Sequence, residues 1–420
     1  MYPPVLSRRA APVAEAQRIV SLDVLRGVAL LGILLMNIQS FSMPWDAYLN
    51  PTAYGDLAGL NRWVWIVTHV AADQKFITIF SLLFGAGIVL MSERLARGGA
   101  GVHARRMTIL IMFGLLHAHG LWYGDILYAY GICGLIVYPA RKLAPRRLIL
   151  IGGAVLSIGS LIYLTSGLAM RSWPPDVVAE FASEYWQAPS AEIAQELATY
   201  RAGWLQQLRV RSPAALGMET FVFLFDVVWK VAGLMLVGMA LFKLDVFTAR
   251  RTHAFYRGLT MFGLGLGVPI VTYGVWANFR EGWNVRYSFF FGSQFNYWGS
   301  VLIALGWIGA VMLFVRSGKL SGLQRRLAAL GRTALSNYIL QTVLATLIFY
   351  GHGLGWFGRI ERAGQLLIVF GIWALQLLLT PLWLRHFAFG PLEWIWRSLS
   401  YWRTQPTRRP GRMEPAVGSS

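Results

Sequence analysis

Cysteine is nearly absent from the 420 residues: Cys133 stands alone. One thiol cannot close an intrachain disulfide, so neither a disulfide framework nor a cysteine-ligated metal site is available. Charge is scarce too. Asp, Glu, Lys and Arg together make up 14% of the chain, where a soluble domain carries about 25%. Acidic residues are the scarcer sign, 19 against 38 basic ones, for a formal net charge of +19. The basic residues sit in short clusters between apolar segments, not on one domain interleaved with aromatics. That distribution favours a membrane and excludes nucleic acid as a partner.

What remains is apolar. Hydrophobic residues are 56% of the chain and the mean hydropathy is +0.51. Eighteen tryptophans and 17 tyrosines suit a protein with two water–lipid interfaces, where amphipathic rings collect. A bilayer core of about 30 Å takes about 20 apolar helical residues. Ten segments meet that test: about 24–43, 75–92, 106–122, 125–141, 147–169, 218–242, 255–278, 295–315, 332–351 and 363–384. The third and fourth form a tight hairpin across Tyr123 and Gly124. Residues 60–74 are too polar to span alone and read as an interfacial or re-entrant lead into the second span. The fold class is therefore all-α, a polytopic integral membrane helical bundle in the lipid bilayer. The first apolar run is long and has no small-residue cleavage site, so it is expected to be retained.

Counting charge orients the bundle. With the N-terminus inside, cytoplasmic segments hold 27 of the 38 Lys and Arg residues and the outer loops hold nine. The inner clusters include Arg8/Arg9/Arg18/Arg26, Arg94/Arg97/Arg105/Arg106 and a tail reaching Arg412. The positive-inside rule then places both termini in the cytoplasm. Residues 1–400 are expected to form one transmembrane domain. An insert at about 170–217, with Asp176, Glu180, Glu184, Glu192 and Glu196, has the spacing of amphipathic helices on the outer face. The Pro- and Arg-rich stretch 401–420 is expected to be a disordered basic tail. No internal repeat of the transporter kind is visible.

Ionisable groups inside spans are costly and point to function or to a buried pair. Asp23 and Arg26 are i,i+3 neighbours entering the first helix. They read either as an anchoring ion pair or as an anion site, since a guanidinium binds phosphate or carboxylate bidentately. Gly27 and Gly32 would admit a close helix, and Asn37 lies farther along. His69 and Asp73 are i,i+4, the carboxylate–imidazole arrangement of general-base chemistry. The alternative is an interfacial histidine with a structural hydrogen bond, with Lys75 snorkelling or pairing with Asp73. His117 lies about 16 Å along its helix from Arg106, with His119 and Asp125 following. Structure and catalysis are equally open there, and a zinc site has little support. Asp226 and Lys230, i,i+4 in the sixth span, read as a mutually neutralising pair. Ser336, Asn337 and Gln341 read as interhelical hydrogen bonders or a polar cavity lining. His352 also falls at an outer helix end, whereas His103, His253 and His386 fall among cytoplasmic basic residues and read as solvated surface.

Five runs carry a resemblance: RIVSLDVLRGVALLGILLMNI (18–38), DQKFITIFSLLFGAGI (73–88), GLLHAHGLWYGDILYAYGICGL (114–135), GRTALSNYILQTVLATLIFYGHGLGWFG (331–358) and GPLEWIWRSLSYWR (390–403). Together they resemble the bacterial YeiB-like family, known as domain of unknown function 418. The first run is also similar to the opening helix of two membrane acyltransferase groups, the acyltransferase-3 and heparan-glucosaminide N-acetyltransferase groups. In the former a histidine follows the arginine by eleven residues; here that position is Asn37, as in the latter. That second group has a histidine before its second helix and an Asp entering it, the region of His69 and Asp73 here.

The resemblance implies a bacterial cytoplasmic-membrane enzyme with no bound cofactor or metal. It would use acyl-CoA as co-substrate and pass the acyl group to an envelope glycan or lipid at the outer face. His69 and Asp73 would supply the base, His117 and Asp125 would complete the outer site, and Asp23 and Arg26 would position the donor. Two other classes stand beside it: a secondary transporter using Asp226, Lys230, Asn337 and Gln341 as a midplane pathway, and a non-catalytic membrane scaffold.

Overall fold

The structure is a computed structural model that describes residues 18–94 and 99–408. Among these residues regular structure is helical, apart from an isolated antiparallel bridge between Phe387 and Arg408. The first half contains α1 (Val20–Ser42), α2 (Asp46–Leu49), α3 (Gly59–Ala71), α4 (Lys75–Arg94), α5 (Gly99–Gly120), α6 (Leu127–Val137) and α7 (Pro145–Met170). An outer group follows: α8 (Pro175–Tyr185), α9 (Ser190–Tyr200) and α10 (Trp204–Gly217). A π-helical stretch, Met218–Val227, joins α10 to α11 (Val228–Lys243). The chain ends with α12 (His253–Arg280), α13 (Val285–Tyr287), α14 (Ser293–Ser317), α15 (Ser321–Arg332), α16 (Ala334–Phe349), α17 (Arg362–His386) and α18 (Pro391–Tyr401).

All ten expected spans fall on helices. Among the described residues, seven stretches are long and apolar enough to cross a membrane: Val20–Ser42, Gly59–Arg94, Pro145–Met170, Trp204–Lys243, His253–Arg280, Val285–Ser317 and Arg362–His386. The other three expected spans are shorter or more polar. α6 has 11 residues and α16 has 16, while α5 carries Arg105 and Arg106. The segment 60–74 forms most of α3. It is set off from α4 by a turn in which Gln74 takes a φ of 63°, a left-handed value uncommon for a residue with a side chain.

Burial sorts the helices into centre and periphery. α1 buries 67% of its apolar window inside the protein, against 28% for α7 and α12 and 22% for α17. The outer helices therefore present leucine- and aromatic-rich faces to lipid, and α1 is the axis. Lipid offers little hydrophobic drive between helices, so close approach and interhelical hydrogen bonds do the packing. Gly27 of α1 faces the Leu327 carbonyl of α15, and Gly331 faces the Asp23 carbonyl in return. α4 and α11 cross in the same reciprocal way, Gly85 against Met235 and Gly238 against Leu82. A Cβ at any of these four positions would run into backbone.

At the end where α1 finishes, α9 and α10 fold over the bundle. Gly351 donates to the Tyr200 carbonyl (2.9 Å), and Arg211 donates through Nε to the His119 carbonyl (2.8 Å). Asp46 and Glu196 come together here. Asp46 accepts from the Ala188 amide and Glu196 from the Trp45 amide (3.3 Å). Burial, and then the nearby Asp46 charge, push the Glu196 carboxyl up to about 7. At the opposite end, the first residues of the stretch expected as a tail, 402–408, hydrogen-bond to the bundle. Ala388 donates to the Thr407 carbonyl (3.0 Å) and Trp394 Nε1 to the Gln405 carbonyl (2.8 Å). Indole and backbone donors there give the polar stretch partners that its composition does not reveal. Residues 409–420, with Arg412, lie outside the described residues, as do Arg8, Arg9 and Arg97.

Two outcomes follow. A raised carboxyl favours folding below its ordinary value near 4.5, and that contribution is lost as the pH rises through about 7. Glu196→Gln should therefore raise the thermal midpoint in detergent at pH 8 and leave it unchanged near pH 4.5. An equal shift at both pH values would contradict the buried acid. Gly27→Ala should cost about 1–3 kcal/mol through overpacking against α15, read as a lower thermal midpoint than Gly153→Ala, a position with open space around it.

Candidate functional site

A cavity of about 320 Å³ opens at the basic end of the bundle between α1, α4, α5, α6, α16 and α18. Small-molecule sites begin at about this size. Its wall changes character with depth. Arg18, Arg26, Arg94, Arg106, Arg332 and Arg397 line it together with Asp23 and Glu393. These residues sit at the start of α1 and α5, the end of α4, the α15–α16 junction and on α18, so six arginines gather at one level. Deeper, the lining is Leu30, Ile33, Phe80, Leu83, Phe84, Leu110, Ile126, Tyr130 and Tyr338. Phe80 lies about 21 Å along α4 from Arg94, at 1.5 Å per residue.

The arginines outnumber the carboxylates, and Asp23 pairs within the set. Asp23 Oδ1 takes Arg26 Nη1 at 2.9 Å, and the same guanidinium reaches the Gly331 carbonyl at 3.2 Å. The anchoring pair of Arg26 therefore forms, and both of its residues line the cavity. Glu393 is spent on α16: it accepts from the Leu335 amide (2.7 Å), the Ser336 amide (3.1 Å) and the Ser336 hydroxyl (2.5 Å). Arg106 packs over Trp396 at 4.1 Å and Arg397 over Phe389 at 4.7 Å. Burial and the adjacent Arg106 bring Arg397 down to about 10, the mark of positive charge crowded out of water.

His103 corrects the sequence reading. Expected on a solvated surface, it is 1% exposed and lines the cavity. It stacks on Tyr138 at 4.0 Å, with Arg141 over the other ring at 3.7 Å. Nε2 donates to the Gly134 carbonyl at 3.0 Å, which leaves Nδ1 an acceptor without a partner. The α5–α6 hairpin folds its own basic start inward, and local charge density alone could not show that.

At the deep end of the cavity, His117 lies against Tyr338, 5.2 Å between ring centres. His117 Nδ1 meets Asp125 Oδ1 at 2.8 Å and Nε2 meets Thr342 Oγ1 at 2.9 Å. The carboxylate accepts from Nδ1–H, and the Thr342 hydroxyl that faces Nε2 also reaches the Tyr338 carbonyl at 3.5 Å. Asp125 Oδ2 also takes the Tyr128 amide at 2.8 Å, capping α6. The result is a buried Thr–His–Asp relay with the polarity of nucleophile–base–acid triads. Thr342 is not legible in the sequence, because its partner His117 lies 225 residues away.

His69 and Asp73 form a second cluster. His69 Nδ1 meets Asp73 Oδ2 at 3.1 Å and its ring stacks on Trp65 at 4.9 Å. Asp73 Oδ2 accepts from Asn296 (2.7 Å), and Lys75, fully buried, donates to Asn296 and to the His69 carbonyl (2.8 Å). Lys75 therefore neither snorkels nor bonds Asp73 directly. Lys230 donates to Gln74 and lies 4.7 Å from the Tyr297 ring. The expected Asp226–Lys230 ion pair is not closed among the described residues. Asp226 lies in the π-helical stretch and Lys230 in the α-helix after it, and the Lys230 ammonium is directed to Gln74 of the α3–α4 turn instead. The α3–α4–α14 cluster and the α5–α6–α16 cluster are separate groups of side chains.

Asn337 and Gln341 join neither cluster. Asn337 Oδ1 accepts from Gln376 (3.0 Å) and Thr380 (3.1 Å), while Gln341 donates to Gln376 Oε1 (2.9 Å). This ladder ties α16 to α17. Asn37 sits half-buried toward the far end of α1, outside the cavity lining.

The chain is similar to proteins of unknown function. The profile of the family described as "Protein of unknown function (DUF418)" matches residues 241–403. The uncharacterized protein YeiB of Escherichia coli (strain K12) is 33% identical over 391 residues, covering 91% of this chain and 96% of the relative. The uncharacterized protein YxaH of Bacillus subtilis (strain 168) is 29% identical over 415 residues, 94% and 97% of the two chains. An uncharacterized 39.9 kDa protein from the amylase 3' region of Bacillus acidopullulyticus is 27% identical over 399 residues, again 94% and 97%.

Gln376→Leu should remove the rung shared by α16 and α17 and destabilise the protein by about 1 kcal/mol. Thermal unfolding in detergent checks it. An unchanged midpoint would mean that the ladder is not tying the two helices together.

Proposed function

The chain belongs to the YeiB-like family of unknown function (DUF418), and we propose that in this family the cavity receives an acyl donor for transfer across a cytoplasmic membrane. The observation that carries the reading is the cavity's course, from a ring of arginines to the Tyr338 wall beside the His117–Asp125 pair. Arginines bind phosphate bidentately and keep their charge when buried, which suits the phosphates of a CoA thioester. An orientation with both termini inside sets that mouth toward cytoplasmic CoA.

His117 is the base in this reading. Asp125 holds its Nδ1 proton and stabilises the imidazolium. The acceptor hydroxyl takes the place of the Thr342 hydroxyl at Nε2 and attacks the thioester carbonyl. Its proton passes to Nε2, the C–S bond breaks, and the departing thiolate takes that proton back. An ester and a free thiol result. His69 and Asp73, held by Asn296, line the acceptor's approach from the far side, where an envelope glycan or lipid would arrive.

Purified protein given radiolabelled acyl-CoA and envelope lipid or glycan extract should transfer label. His117→Ala should lower the rate by on the order of a hundredfold or more with the thermal midpoint within a few degrees. His69→Ala should raise the acceptor KM and change kcat less. Full activity of His117→Ala would overturn the assignment.

One feature favours a second reading. Lys75, Lys230, Asp73 and Asn296 form a polar network within the helical bundle, the kind of intramembrane charge that marks ion pathways. Under that reading the protein is a secondary transporter, and Lys230→Met abolishes proton-coupled uptake into proteoliposomes. Acyl transfer that survives Lys230→Met separates the two.

A further inference from the structure

The resemblance to acetyl-transferring groups implies a two-carbon acyl unit, but the cavity has a different shape. We infer that it holds a hydrocarbon chain attached to a phosphate-bearing head group, and that Gly87 sets the length of chain admitted. The inference rests on the cavity being the donor site, and it adds the class of donor.

Polarity along the wall carries the first half. Phosphate-binding guanidinium groups lie only at the mouth, whereas Leu30, Ile33, Phe80, Leu83 and Phe84 line the interior. A phosphate head group held alone at the arginines would leave the apolar depth from Gly87 to Phe80 empty, about 10 Å along α4. Packed interiors contain few voids of that kind. A chain fills it, with each buried methylene contributing about 0.8 kcal/mol. Between head and chain, His103 offers its partnerless Nδ1 as an acceptor. It suits a ligand with an N–H or O–H donor just below its phosphates, such as a pantetheine amide or a glycerol hydroxyl.

Gly87 carries the second half. It lines the cavity, and a Cβ there would meet no atom within 4 Å. Gly85, one turn-position away, is instead pressed against the Met235 backbone. Gly87 therefore leaves α4 unobstructed on the cavity side, where no helix crossing requires a glycine. A Cβ at this position would enter the chain's path without meeting a packed neighbour.

Equilibrium binding to the full-length protein in nanodiscs tests this without turnover, so a failure of transfer leaves it standing and a failure of binding does not. The probes are CoA, acetyl-CoA, octanoyl-CoA, palmitoyl-CoA, palmitate and a monoacylglycerol phosphate. Affinity should rise about fourfold per methylene until the chain fills the cavity. Gly87→Leu should shift that plateau about three to four methylenes shorter and leave acetyl-CoA binding unchanged. Gly153→Leu, open in space but away from the cavity, should shift nothing. His103→Phe should weaken the chain-bearing phosphates and leave palmitate unaffected. Tight binding of the monoacylglycerol phosphate alongside palmitoyl-CoA would support the shared chemistry and name a membrane lipid as a source; palmitoyl-CoA alone would name the thioester. Acetyl-CoA or CoA binding as tightly as palmitoyl-CoA, palmitate matching both, or a plateau unmoved by Gly87→Leu would overturn the inference.

Discussion

The carboxylate of Glu393 is the interaction on which the basic end of this molecule depends. It reaches from α18 to the first turn of α16 and accepts two backbone amides and a hydroxyl there. A helix start leaves its first amides without intrahelical partners, and inside a membrane protein no water need be at hand to serve them. By satisfying them from another helix, Glu393 fixes α18 beneath the bundle. Trp396, Arg397 and Tyr401 then complete the cavity lining, and Trp396 donates to the Arg106 carbonyl of α5 (2.8 Å). One buried acid thus caps a helix and closes the mouth of a site.

The same economy of close contact runs through the centre. α1 is pinned to α15 by facing glycines, and α4 to α11 by another facing pair. These crossings leave the α1–α4–α5–α6–α16 side less tightly filled, and the cavity lies there. The polar ladder of Asn337, Gln341, Gln376 and Thr380 holds α16 upright against α17. Thr342, one turn above, is thereby presented to His117. Structural hydrogen bonds and candidate chemistry are continuous along one helix.

How much of the candidate site could be read in the residues differs from one to the next. His69–Asp73 follows helical spacing, so its partnership was legible, as was Asp23–Arg26. His117 with Asp125 was legible as proximity in the chain, because a hairpin returns on itself within a few residues. Thr342, Glu393 and His103 were not legible. Their roles depend on partners 225, 57 and 31 residues distant, and nothing local distinguishes them from ordinary polar residues. The Asp226–Lys230 pairing did not close because the lysine is taken by Gln74, a partner 156 residues away that no helical spacing reveals.

Composition and hydropathy determined by themselves that the chain is an all-α membrane protein, and which segments are its apolar helices. Lipid permits few spanning structures, since every backbone polar group must be satisfied within the segment. The constraint is local, so a linear sequence carries it in full. Which helix lies at the axis, which six arginines share one opening, and which histidine adjoins the cavity were decided only by tertiary structure. Those facts depend on glycine-sized gaps between particular helices and on hydrogen bonds that cross the bundle. Many packings satisfy the same hydropathy, and only the assembled contacts select one.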